Sequence, residues 1–135
     1  MSLSKRVKLA VLCLIVVVAL CAAASASPFP RGSATLQPVV GGDEPSASGV
    51  AKEHQTGWID GPYGRMPWGN WSLTCTGLTP GAAYGHPWGT AAADRKGSLS
   101  AQGKGVVGAA LVQVYRVEPT GNVLVLSGSV VWNPK

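Results

Sequence analysis

The sequence predicts an all-β domain, a small sandwich or open barrel, preceded by a secretory signal peptide and a flexible segment. Three observations carry that expectation. Apolar residues after the first 26 positions recur at every second residue, as in Trp71, Leu73 and Cys75. Glycine and proline, 18 and 10 of 135 residues, punctuate the chain at short intervals. No stretch downstream keeps apolar residues at spacings of three and four, so no helix is expected there.

Lys5, Arg6 and Lys8 form a basic start, residues 9–24 carry no charge, and Ala24-Ser25-Ala26 offers small residues for cleavage. This is the pattern of a secretory signal over residues 1–26. The uncharged run is shorter than the ~20 residues a spanning helix needs, which disfavours a retained anchor. Cys21 follows the bulky Leu20, a poor fit to a lipid-attachment site. The expected location is secreted or extracellular (periplasmic or cell-envelope in a bacterium), with no membrane attachment after cleavage.

Cleavage changes the charge argument. Of 11 basic residues, three lie in the signal, leaving eight against six acids. Those eight are scattered, with only Arg95 and Lys96 adjacent, so the sequence shows no basic stripe and predicts no nucleic-acid partner. Cys13 and Cys21 also leave with the signal. Cys75 then stands alone, its position in the alternation predicting a buried small hydrophobe.

Residues 27–56 are rich in Pro, Gly, Ser and Ala and poor in large apolar side chains, and are read as flexible. Within them, residues 34–40 are an edge-strand candidate because Pro38 is tolerated only at an edge. The domain is expected over residues 57–135. Trp58-Ile59 precedes a turn at 60–64, residues 71–78 form a strand, and residues 83–93 are extended but interrupted. A tight turn at 94–97 leads into 98–102. Gly103-Lys104-Gly105 reads as a loop, lacking the Ser/Thr and setting of a nucleotide site. Residues 106–117 and 123–132 form the best hairpin, around the turn 118–122.

Leu78-Thr79-Pro80-Gly81-Ala82-Ala83-Tyr84 resembles the Leu-x-Pro-Gly-x-x-Tyr turn of fibronectin type III and other immunoglobulin-like sandwiches. The resemblance implies that Leu78 packs in the core, that Pro80 and Gly81 set the turn, and that Tyr84 closes a tyrosine corner by bonding back to the preceding loop. The match covers seven residues, and the following Gly-His-Pro-Trp-Gly departs from the family pattern. Asp94-Arg-Lys-Gly-Ser98 is similar to a turn of prealbumin-like sandwiches. Architecture of this kind dictates no function.

Catalytic residue types are few. Asp43, Glu44, Glu53 and His54 fall in the segment read as flexible, and Asp94 and Glu118 in turns. His86, with Asp60 as a potential partner, is the one candidate base, and no nucleophile motif or metal-ligand spacing accompanies it. The expectation is a non-enzyme without cofactor or metal. Asn70-Trp71-Ser72 is a glycosylation sequon. Between positions 58 and 88 lie Trp58, Tyr63, Trp68, Trp71, Tyr84 and Trp88. Stiff aromatic rings suit sugar C–H faces and extended peptides. The ligand-binding candidates are therefore Trp68 and Trp88, with Tyr63, His86 and Trp58, in a secreted module that binds carbohydrate or protein at the cell surface. The alternatives are a self-assembling envelope protein that pairs through its C-terminal hairpin, or a small hydrolase or inhibitor.

Overall fold

The computed structural model describes residues 29–133; the expected signal peptide lies outside them. Among the described residues there is no helix. Nine strands form: β1 (Arg31–Pro38), β2 (Ser48–Gly61), β3 (Gly64–Thr76), β4 (Ala83–His86), β5 (Gly89–Ala92), β6 (Leu99–Val106), β7 (Leu111–Arg116), β8 (Val123–Ser129) and β9 (Val131–Asn133). All pairings are antiparallel.

The strands make a two-layered, barrel-like sandwich. The first layer runs β9–β1–β2–β3–β6 and the second β5–β4–β7–β8. β1 joins them: residues 31–36 pair with β2, whereas Gln37 and Pro38 pair with Ser127 and Leu126 of β8. On the far side β5 approaches β6, so the wall nearly closes. Closure of this kind leaves little open edge.

Several expectations need correction. The segment read as flexible holds β1 and the first half of β2, at the centre of the first layer. Its inward residues are small (Gly32, Ala34 and Ala51 beside Leu36), so it buries its apolar face against large side chains supplied by other strands. The candidate edge strand is thus a central one, and Pro38 is its last residue. The C-terminal hairpin, β7 and β8, is flanked by β4 at Tyr115 and Arg116 and by β1 at Leu126 and Ser127, so its outer edges are paired in part. Gly103-Lys104-Gly105 belongs to β6, not to a loop, and β6 runs on to Val106, which had been read as the start of the hairpin.

Alternation along β3 puts Leu73 and Cys75 fully inside, against Leu36, Leu99, Val112, Val114, Leu126 and Tyr84. Burying each such aliphatic side chain contributes about 1.5–3 kcal/mol. Burial also pushes the Cys75 thiol up to about 11.

The turn before β4 matches its local motif. Ala82 N–H donates to Thr79 O at 3.2 Å around Pro80 and Gly81, and Gly81 has φ +75°. This fits a type II turn, which requires a positive φ at its third residue. Leu78 is buried. The Tyr84 hydroxyl accepts from Thr79 N–H at 2.9 Å and donates to Glu44 Oε1 at 2.6 Å. Thr79 Oγ1 donates to the same carboxylate at 2.6 Å, and Arg116 bonds its other oxygen at 3.3 Å. One buried glutamate thus ties the loop after β1 to the corner and to β7.

Candidate functional site

The five candidate ligand-binding residues fall in three places. His86 ends β4 and Trp88 lies in the β4–β5 turn, and both are half-buried. Trp88 stacks on Trp71 with ring centroids 4.8 Å apart and planes 5° from parallel, and its indole N–H donates to Val106 O at 2.9 Å. The stack has room because Gly103 and Gly105 are bare: a Cβ on Gly103 would stand 3.1 Å from the Trp71 ring, and one on Gly105 3.4 Å from Trp88.

His86 completes this cluster, 5.2 Å from Trp71 between ring centroids. Its Nδ1 accepts from Trp88 N–H at 3.2 Å, and burial lowers its pKa below the usual imidazole value. Both features favour the neutral ring. Among the described residues no carboxylate is bonded to it, and Asp60 lies near the end of β2, in register with Arg65. The anticipated His86–Asp60 pair does not form.

Trp58 and Tyr63 belong to an arm. β2 pairs with β1 only as far as His54, and β3 with β6 only as far as Trp68, yet the β2–β3 hairpin continues to Gly61 and Gly64. Trp58 there is 49% exposed, with the Arg65 guanidinium 4.8 Å over its ring and Phe29 edge-on at 6.5 Å. Tyr63, at the tip, is 100% exposed.

Trp68 lies elsewhere again. Side chains alternate along a strand, so with Trp71, Leu73 and Cys75 inward, Trp68, Asn70 and Ser72 point outward. The ladder then aligns rows across the outer face of the first layer. One row reads Val131, Ser33, Lys52, Ser72, Gln102, and the next Asn133, Arg31, His54, Asn70, Lys104. A third adds Trp68 beside Val106. Most of the first two rows line a basin of about 390 Å³, and Asn70, Gln102 and Lys104 line an adjoining one of about 350 Å³.

The electrostatics of this face are one-signed. Its outward residues include no acid: Asp43 and Glu44 lie in the loop after β1, Asp60 in the arm, Asp94 and Glu118 in turns, and Glu53 points inward. The described ion pairs all involve Arg116, which bonds Asp43, Glu44 and Glu118. Arg31, Lys52 and Lys104 therefore face solvent without a carboxylate partner among the described residues. The basic residues that look scattered in sequence, with no stripe along the chain, are brought onto one face by register. Asn70, the sequon asparagine, is exposed in the middle of this face.

Behind the basin the inward row is Trp132, Gly32, Glu53, Trp71, Gly103. Glu53 is buried, and burial raises its pKa, while the backbone N–H groups of Gly108 and Ala109 offset part of that effect. Neither carboxylate oxygen closes a full hydrogen bond, and the Trp71 indole nitrogen is likewise unpartnered. Among the described residues no group of three His, Cys, Asp or Glu could hold a metal ion.

Of the outward residues on this face, the sequence reading singles out Trp68 as a ligand-binding candidate and Asn70 as a sequon, and does not single out Arg31, Ser33, Lys52, His54, Ser72, Gln102 or Lys104. The available signal was the polar half of the alternation, as in Ser100, Gln102 and Lys104 of β6. Comparison with protein-family models, with curated proteins and with solved structures returns no match for this chain.

Proposed function

We propose that the chain is a secreted, non-catalytic module that binds carbohydrate on the outer face of the layer β9–β1–β2–β3–β6. The observation that supports this reading is the face itself: a basin whose outward side chains are hydroxyl, amide, imidazole and cationic groups, with the buried Glu53 in its floor and Trp68 in the next row. Neighbouring strands lie about 4.8 Å apart. Ser33, Ser72, Asn70 and Gln102 thus offer donors and acceptors at intervals that suit successive sugar hydroxyls. The Trp68 ring supplies stiff apolar area for a sugar C–H face. The reading moves the platform away from Trp88, whose ring and indole N–H are already engaged within the fold.

Titration of the purified chain with oligosaccharides, in Trp68→Ala and Gln102→Ala variants, tests it. Both substitutions are expected to weaken binding at least tenfold with the fold intact. Retained binding in these variants, with loss in Trp58→Ala or Tyr63→Ala, would favour a second reading. There the arm clasps an extended peptide or protein surface, a reading supported by the exposure of Trp58 and Tyr63.

A further inference from the structure

We infer that the carbohydrate taken by this face is acidic, a linear glycan carrying carboxylate or sulfate groups along its length. The inference rests on the carbohydrate reading above and deepens it. Arg31, Lys52 and Lys104 come from three strands and project from one face with no acid among its outward residues and no described ion pair. Arg31 and Lys52 line one basin and Lys104 the adjoining one, and unpaired cations in such concavities focus a positive field.

Their spacing suits a chain with repeated anionic groups. Arg31 and Lys104 occupy the same row three strand steps apart, about 14 Å at ~4.8 Å per step. Lys52 lies in the neighbouring row, about 7 Å along the strand direction. These are backbone separations: the long Arg31 and Lys52 side chains can share one anionic group, while Lys104 stands farther off, in the adjoining basin, and suits a second. A chain with an anionic group every sugar or two supplies both, and it would lie across the strands with neutral hydroxyls against Ser33, Ser72, Asn70 and Gln102.

Nucleic acid fits less well. Single strands are held by several aromatic platforms that stack successive bases along a basic groove, whereas the outward rows carry one aromatic platform, Trp68, and the imidazole of His54, with Trp71 behind them stacked on Trp88. The dominance of neutral hydroxyl and amide groups between the cations matches sugar hydroxyls better than stacked bases.

Calorimetric titration with four ligands of similar length tests the inference: a neutral glucan, an oligogalacturonate, a sulfated heparin fragment and a single-stranded oligonucleotide. The expected result is that the oligogalacturonate or the heparin fragment binds at least tenfold more tightly than the glucan. The variant carrying Arg31→Gln, Lys52→Gln and Lys104→Gln should lose that advantage. The advantage should also shrink as salt rises from about 50 to about 200 mM, as expected for polyanion binding. A control carrying Arg95→Gln and Lys96→Gln removes charge from the 94–97 turn and should bind as wild type does.

Equal affinity for neutral and acidic sugars, unchanged in the triple variant, would overturn the inference while leaving the carbohydrate reading standing. An oligonucleotide that binds as tightly as the acidic sugars would overturn the sugar assignment, as would equal weakening in the turn control. Failure of every sugar to bind would overturn both. Circular dichroism of each variant separates lost binding from lost fold.

Discussion

The rings of Trp71 and Trp88 lie parallel, 4.8 Å apart, over the bare backbone of Gly103 and Gly105. That contact joins the β4–β5 turn to the first layer at the side where the wall has no ladder to close it. Trp88→Ala removes the stack and the hydrogen bond to Val106 O, and should cost about 2–4 kcal/mol. Chemical denaturation checks this value. A cost near zero would mean that the turn is not held by its tryptophan.

The tyrosine corner gives a second stability test. Tyr84→Phe keeps the buried ring but leaves Glu44 and Thr79 without the hydroxyl. A loss of about 1–2 kcal/mol is expected, readable as a shift in urea midpoint. Tyr84→Phe combined with Glu44→Gln should cost less than the two separate losses added together, because both changes break one network.

Glu44 and Glu53 should give opposite pH dependences. Burial raises the Glu44 pKa, but hydrogen bonds from Thr79 and Tyr84, aided by Arg116, outweigh it, and the net position is below the ordinary 4.5. Its stabilisation is therefore present above that value and lost as pH falls through the lowered folded pKa. Glu53 is raised above 4.5 by burial, so its contribution is full below 4.5 and is lost as pH rises through the folded pKa. Urea midpoints measured from about pH 3 to pH 8 should show Glu44→Gln destabilising at neutral pH and flattening the acid limb. Glu53→Gln should stabilise at neutral pH and flatten the fall above 4.5. Destabilisation by Glu53→Gln at pH 7 would indicate that the ionised carboxylate has a partner.

These predictions mark what the sequence could and could not convey. The period of two in Trp71, Leu73 and Cys75 depends only on neighbours along the chain, and it placed the second half of β3 and its buried face, while the stretch from Gly64 to Asn70 was read as turn. The Leu78–Tyr84 turn is equally local, since Pro80, Gly81 and the hydroxyl of Tyr84 act within a few residues. β1 and β2 were obscured because their inward positions hold Gly32, Ala34, Ala51, Glu53 and Gln55, a set that reads as polar and small. The cation rows were illegible for another reason. Arg31, Lys52 and Lys104 meet only through three strand pairings, and register is a long-range property that no stretch of one strand records.

The Cys75 thiol offers a simple check on that core. With no exposed surface and a pKa pushed to about 11, it should resist alkylation in the native protein at pH 8 and react once the chain is unfolded in denaturant. Fast labelling under native conditions would place β3 in a different register.

Side-chain amide NMR during titration with an oligogalacturonate or heparin fragment is the most direct test of the binding face. Asn70 and Gln102 carry their amide groups on the outer rows, between Lys52 and Lys104. The account predicts that their NH₂ resonances shift in saturable fashion with the backbone amides of β1, β2, β3 and β6, while β4, β5 and β7 stay unmoved. Saturable shifts confined to the arm around Trp58 and Tyr63, with Asn70 and Gln102 unmoved, would contradict it.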